Sequence, residues 1–404
     1  MVKEVFYVLT IHAERLITPI KQPVKGIEMK KIEELFDVDI VIEGKNVIDI
    51  RKHKNADIKA KMVTPGFFDA HTHIPFVGSR SKEFLMRARG KSYIEILKAG
   101  GGIHFTSELV RKSTETELFE QGKKQIKELT KHGVIGIECK SGYGLDIENE
   151  LKQLRVIKKL SHEMKNKIVG TFLGLHARPR SDSGKTTEEY ISDMKSILAL
   201  IKKEELADFV DAFVDKGVFL PEEIKDFIVE AKKLGFKIRL HADEIENVGA
   251  ARFGTQIGAM SVDHVLKIND EDIWALSENE TFVTLMPSTS FYLGESYAPA
   301  RKIIDSGIGV ALGSDFNPGS SPIYNPAFVM HLAIRFLSME PEEVLNAYTV
   351  NSAYVLGLKS GVVKPGYPAD LILWNTNEFL DIPYMFQTNF VDKVVIDGDI
   401  LSKE

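Results

Sequence analysis

The sequence predicts an α/β protein, a TIM-type (β/α)8 barrel carrying a small β-rich domain formed from the N- and C-terminal segments. Three observations carry that prediction. Eight short apolar runs recur along the chain, amphipathic stretches of helical period separate them, and both ends break instead into short β-rich pieces between turns. Buried strands alternating with helices imply a parallel sheet. Eight such units favour a closed barrel over an open doubly wound sheet. A dinucleotide-binding sheet would also want G-x-G-x-x-G directly after a strand, whereas the glycine cluster "AGGGIHF" (99–105) follows a helical pattern and lacks the spacing.

The small domain takes residues 1–62, with "DIVIEGKNVIDI" as its clearest strand pattern, and returns at 360–404 through the turn "KPGYPAD" and the strand "DLILWN". The barrel takes 63–359. Its first run, "KMVTPGFFDA", leads into "HTHIPFVGSR" (71–80). A helix opens where Thr114 and Glu117 stand at capping-box spacing and runs to His132, before Gly133. The next runs are "GVIGIEC" (133–139) and "KIVGTFLGL" (167–175). Tyr190, Met194, Ile197, Leu198 and Ile201 then form one helical apolar face, followed by the run "ADFVDAFV" (207–214). Ile224, Phe227, Ile228, Ala231 and Leu234 repeat that pattern, with Pro221 suited to a first helical turn. The last four runs are "FKIRLHA" (236–242), "AMSVDHV" (259–265), "TFVTLMP" (281–287) and "IGVALGS" (308–314).

Composition excludes several classes. The 404 residues are 44% hydrophobic, enough for a large core. Lys and Arg number 52 against 58 acids, so the net charge of −6 offers no basic surface for nucleic acid or anionic membrane. Cys139 is the only cysteine, which fits a reducing compartment. The N-terminal "MVKEVFYVLTIHAERL" is too short and too polar an apolar stretch for a signal peptide or membrane span, and no later run approaches about 18 residues. The expectation is a cytoplasmic protein.

In a TIM-type barrel the C-terminal ends of the strands converge on one mouth. Five of the 11 histidines lie at such ends: His71 and His73, His176, His241 and His264. Asp315 closes the eighth run. A lone H-x-H pair reads equally as a coincidence of a surface loop, His176 or His264 taken singly reads as structural, and His104, His132, His162 and His331 are read as structural or solvated. Their joint placement points instead to a metal centre. In extended chain, residues i and i+2 share a side, so His71 and His73 face one ion while Thr72 faces away. His241 and Asp315 complete three nitrogens and one oxygen, a set suited to zinc, or to iron as second choice. Such an ion brings a bound water's pKa toward neutrality. Glu244 is placed to protonate a leaving nitrogen, His264 to polarise an oxygen that becomes negative, and Asp315 to take a proton from water. At the same mouth Arg80, Tyr93 and Tyr143 supply donors for a carboxylate. The turn "DFNPGSSP" (315–322) offers Asn317, Gly319 and Ser320 to a small polar ring.

"PGFFDAHTH", "HADE", "DH" and "SDFNPGSSP", in this order, resemble the amidohydrolase superfamily. Adding "KSYIEILKAGGGI" (91–103), "ECKSGYGLD" (138–146), "TFLGLHARP" (171–179) and "GYPADLILW" (366–374), the chain is similar to the imidazolonepropionase family. The resemblance implies hydrolysis of the ring amide of 4-imidazolone-5-propanoate to N-formimidoyl-L-glutamate, in histidine breakdown. It places metal ligation on His71, His73, His241 and Asp315, acid–base work on Glu244 with His264, and substrate contacts on Arg80, Tyr93, Tyr143, His176, Glu244, Asn317, Gly319 and Ser320. It implies one divalent or trivalent ion per chain, a small substrate with a carboxylate tail, and a homodimer. Relatives with two metals use a carboxylated lysine on the fourth strand. Lys216 looks like a turn residue there and Lys140 belongs to the second strand, so one ion is expected. Two other readings remain. A guanine or cytosine deaminase-like aminohydrolase would use the same His241-x-x-Glu244 spacing, and a scaffold that has lost its chemistry should have lost ligands.

Overall fold

The structure, a computed structural model, describes residues 8–91, 95–96, 100–179 and 184–401. Among these are fifteen strands: β1 (Val8–Pro19), β2 (Ile32–Glu43), β3 (Asn46–Lys52), β4 (Ile58–Pro65), β5 (Phe67–Asp69), β6 (Val134–Lys140), β7 (Lys167–Leu175), β8 (Phe209–Val214), β9 (Lys237–Ala242), β10 (Ser261–His264), β11 (Phe282–Leu285), β12 (Val310–Leu312), β13 (Leu371–Trp374), β14 (Val391–Ile396) and β15 (Asp399–Leu401).

Strands β5 to β12 pair in sequence order, all parallel. Covered on both faces, they read as unbroken buried runs; every residue of β6, β10, β11 and β12 is buried. The barrel closes just past the strands. The Ala70 N–H donates to Leu312 O at 3.3 Å, Asp315 N–H to His71 O at 2.9 Å, and His73 N–H to Phe316 O at 3.1 Å. The ends that carry the histidine pair and Asp315 are therefore stitched together by main chain.

Helices fill the crossovers as the periodicities require. Thr114 and Glu117 form a reciprocal capping box at the head of Glu115–Lys131, and Pro221 opens Pro221–Lys233. The face from Tyr190 to Ile201 is buried throughout, but its helix bends at Ile197 into Thr187–Ser196 and Leu198–Lys203. The expected first barrel run also divides. Ile58–Pro65 pairs with β1 and β13 outside the barrel, and only Phe67–Asp69 enters it. Gly66 makes the crossing, where a Cβ would meet Ile135 Cδ1 at 2.4 Å.

The outer sheet runs β15-β14-β13-β4-β1-β2-β3 and joins the two ends of the chain. Alternation puts Leu9, Ile11 and Ala13 of β1 on one face, packed with Ile40 and Ile42 of β2 and Leu371 and Leu373 of β13. Among the described residues, no helix is long and apolar enough to cross a membrane.

Candidate metal centre and pocket at the barrel mouth

His71 is fully buried, with Nδ1 2.7 Å from Asp263 Oδ2. That contact holds the proton on Nδ1 and leaves the Nε2 lone pair facing inward. Inward it meets His241 Nε2 at 3.1 Å and Asp315 Oδ1 at 3.7 Å. His73 Nε2 lies 3.2 Å from the same Asp315 oxygen. His71 Nε2 thus stands between His241 Nε2 and Asp315 Oδ1, with His73 Nε2 on the same Asp315 oxygen. Asp315 Oδ1 and His264 Nε2 are buried without hydrogen-bond partners. Acceptors crowded at these distances repel unless a cation lies among them, so the donor set fits a transition ion.

Two overlapping groups lie within coordination reach, His71–His73–Asp315 and His71–His241–His264. The second brings in His264, whose Nδ1 is 3.6 Å from Glu244 Oε1. Burial raises the Glu244 pKa, opposed by His264 and reinforced by Asp315, which favours a carboxyl able to hold a proton. For Asp315 burial pushes upward, but the hydrogen bond and charge of His73 win and hold it well below the carboxylate range. Its other oxygen accepts from Thr289 Oγ1 at 2.7 Å.

Above these groups opens a pocket of about 90 Å³. Arg80, Tyr143, His176, Glu244, Asn317 and Ser320 line it, with Ile103 and Phe213 as apolar walls. Arg80 is clamped by Glu83 through Nε to Oε1 at 2.9 Å and Nη2 to Oε2 at 2.7 Å. His176 Nδ1 lies 2.9 Å from Gly142 O, and its ring stacks on His73 at 4.9 Å. Burial raises the Tyr143 pKa, so its hydroxyl stays a neutral donor. Tyr93 lies outside the described residues.

Gly319 differs from expectation. Its N–H and that of Ser320 both donate to Asn317 Oδ1 at 2.8 Å, so neither amide is offered to a ring. What Gly319 contributes is space, since a Cβ there would stand 1.9 Å from Arg80 Nη1. Of the two lysines considered for a second metal, Lys216 is an exposed partner of Glu246. Lys140 is buried, 2.8 Å from both Glu138 and Asp211.

Lys140 belongs to a polar layer that motif reading missed. Arg239 Nη2 lies 2.8 Å from Asp263, Arg239 Nε 3.5 Å from Glu138, and Asp211 Oδ2 3.0 Å from His241 Nδ1. The chain of contacts His71–Asp263–Arg239–Glu138–Lys140–Asp211–His241 runs beneath the floor with all seven side chains buried. Its signal was available: "GIECK", "FVDAFV", "KIRLH" and "SVDH" each place charge inside a run otherwise read as buried strand.

Backbone strain collects at the same level. Asp243, His264, Val265 and Asp315 have φ of 50°, 73°, 50° and 52°, a left-handed region that costs non-glycine residues about 1–3 kcal/mol each. Asp243 accepts three N–H groups, from Val248, Ala250 and Ala251, and Asp215 accepts those of Glu244, Ile245 and Glu246. These bonds hold the turn that presents Glu244.

The amidohydrolase family model matches residues 62–401. An imidazolonepropionase of Kosmotoga olearia is 40% identical over 391 residues, covering 95% of each chain. One of Bacillus cytotoxicus is 44% identical over 347 residues, 85% of this chain and 82% of that one. Among solved structures, the E. coli guanine deaminase superposes with a TM-score of 0.74 over 98% of this chain and 100% of that chain; at 14% identity it shows the shared fold alone.

Proposed function

The chain belongs to the imidazolonepropionase family of amidohydrolases, and from that premise we propose how its mouth hydrolyses the cyclic amide of 4-imidazolone-5-propanoate. What carries it is that His71 Nε2 meets both His241 Nε2 and Asp315 Oδ1, and His73 meets the same Asp315 oxygen, beside a pocket whose wall carries a fixed arginine.

His71, His73, His241 and Asp315 would hold a single ion, zinc or iron, which supplies Lewis acidity and a water made acidic near neutral pH. Arg80 receives the propanoate carboxylate, with the Tyr143 hydroxyl, and Tyr93 by family resemblance, as further donors. His176, with Nδ1–H committed to Gly142 O, presents Nε2 to the ring, and Asn317 and Ser320 shape its other edge. Asp315 takes a proton from the attacking water, and His264 polarises the ring carbonyl. Glu244, its pKa raised by burial, hands a proton to the departing ring nitrogen. Water adds to the carbonyl carbon, the carbon–nitrogen bond breaks, and N-formimidoyl-L-glutamate leaves.

We further propose a cytoplasmic homodimer with no nucleic-acid or membrane partner. Phe84, Phe291 and Phe336 are exposed apolar side chains that a second copy could cover, and light scattering would give the mass.

The deciding experiment follows loss of imidazolone absorbance while metal is quantified. Turnover should vanish with chelation, and His71→Ala should remove one ion together with activity. Arg80→Ala should raise KM while the metal stays. Ammonia released from a nucleobase, with imidazolone propanoate untouched, would favour the aminohydrolase reading. Undiminished turnover after chelation would overturn both.

A further inference from the structure

The outer sheet carries a second cluster of metal-donor side chains, none of which the barrel chemistry uses. His12 on β1 and Asp39 on β2 stand directly opposite in the antiparallel register. His53 follows the end of β3, where its N–H donates to Asp37 O at 3.1 Å. Alternation turns His12 and Asp39 away from the face that packs Ile11, Ala13 and Ile40. One donor atom from each of the three residues lies within 4.8 Å of the others.

The local bonding leaves this cluster short of a cation. Asp39 is wholly buried, and its Oδ2 accepts the N–H groups of Lys54 and Asn55 at 2.8 and 3.3 Å. Its Oδ1 faces both rings, 2.7 Å from His53 Nδ1 and 3.5 Å from His12 Nδ1. The His12 side chain is 8% exposed, and its Nδ1 has no hydrogen-bond partner. Its other nitrogen, Nε2, lies 3.6 Å from Asp37 Oδ1. With the ring proton on Nε2 toward Asp37, the buried Nδ1 turns a lone pair toward a carboxylate oxygen. Two acceptors then face each other away from water, an arrangement that costs free energy unless a cation lies between them. Two ligands about 2.1 Å from a tetrahedral ion stand roughly 3.4 Å apart, close to the separation seen.

We propose that His12, Asp39 and His53 form a second divalent-metal site, selective for zinc or a similar ion preferring nitrogen and oxygen, which staples the end of β3 to the β1–β2 pair. Water completes the coordination on the open side, where the His53 side chain is 29% exposed and leaves an entry path. Asp37 orients the His12 ring from behind. Binding displaces the Nδ1 proton of His53 and puts the positive charge beside the Asp39 carboxylate.

Chelator-stripped full-length protein, equilibrated with zinc alone at pH 8 where free imidazoles are neutral, should hold two ions per chain. His53→Ala should hold one and keep its imidazolone hydrolysis. Asp39→Asn, whose amide oxygen can still accept from Lys54 and Asn55, should show the same loss. In a His71→Ala/His73→Ala background, zinc should still raise the unfolding midpoint, and adding His53→Ala should abolish that rise. Equal zinc content in wild type and both outer-sheet variants would overturn the site. So would an imidazolium at His12 in the zinc-equilibrated protein, seen by NMR. Failure at the barrel centre would instead appear as lost hydrolysis, so the two assignments fail independently.

Discussion

The barrel mouth and the apolar face of the outer sheet come from neighbouring stretches of chain, separated at one point only by Gly66, yet they are built on opposite terms. The outer face is an alternating apolar layer in which Leu9, Ile11, Ala13, Ile40 and Leu371 pack together. The mouth gathers buried charges, carboxylate and imidazole atoms without partners, and four non-glycine residues in left-handed backbone. One region contributes stability and the other spends it on poised chemistry. Substitutions in the two regions should therefore separate folding from turnover.

The largest test lies in the outer face. Ile40 is fully buried there. Ile40→Ala should cost about 2–5 kcal/mol in denaturant unfolding, while kcat and KM of the folded enzyme stay at wild-type values. A parallel fall in kcat would show that the two regions are mechanically coupled and break the comparison.

How far the sequence discloses each region follows from the same contrast. The barrel strands were legible because doubly covered parallel strands leave continuous apolar runs, and seven of the eight fell where those runs lie. The first did not separate cleanly, because "KMVTPGFFDA" serves two sheets in succession and periodicity does not register a change of sheet. At the mouth, the placement of His71, His73, His241 and Asp315 was readable because strand ends are fixed by the fold. The layer from Asp263 through Arg239 to Asp211 was not, because its contacts join strands far apart in sequence. The part Gly319 plays was invisible as well, since it depends on where another residue's guanidinium lies.

The next test asks what the mouth costs in stability. Glu150 is buried and accepts the N–H groups of Gly142 and Leu145 at 2.9 Å, holding the turn that carries Tyr143. Burial pushes its pKa up from 4.5 to about 7. A carboxyl whose folded pKa is raised contributes its stability below the unfolded value, and that contribution is lost as pH rises through the folded one. Between about pH 4.5 and 7 the wild type should thus lose on the order of 3 kcal/mol through this residue. Glu150→Gln, which cannot ionise, should flatten that part of the stability–pH curve, as urea unfolding at a series of pH values would show. An unchanged slope would place the cost of the mouth elsewhere.

A smaller effect is expected one layer beneath the proposed ligands. Asp263 holds His71 Nδ1 at 2.7 Å. Asp263→Asn should weaken metal affinity about 10–100-fold, measured by competition with a chelator, while His71 itself remains. Undiminished affinity would mean that the buried charge layer serves folding alone and would move it to the outer sheet's side of the comparison.

The smallest and sharpest test is Gly319→Ala. The backbone there has no left-handed strain for alanine to aggravate, so the effect is purely steric: the new methyl would stand 1.9 Å from Arg80 Nη1. Arg80 cannot simply retreat, because Glu83 grips Nε and Nη2, and Glu83 in turn accepts the Gly102 N–H at 2.9 Å. Either the guanidinium tilts out of the pocket or that clamp loosens. Both weaken the hold on a carboxylate tail without touching the proposed metal ligands. KM should rise about tenfold, which corresponds to roughly 1.4 kcal/mol of ground-state binding, with kcat within a few-fold of wild type and metal content unchanged. Steady-state kinetics on 4-imidazolone-5-propanoate would check this. If KM stayed put, Arg80 would bind no substrate carboxylate, and its pairing with Glu83 would belong with the features that hold the fold.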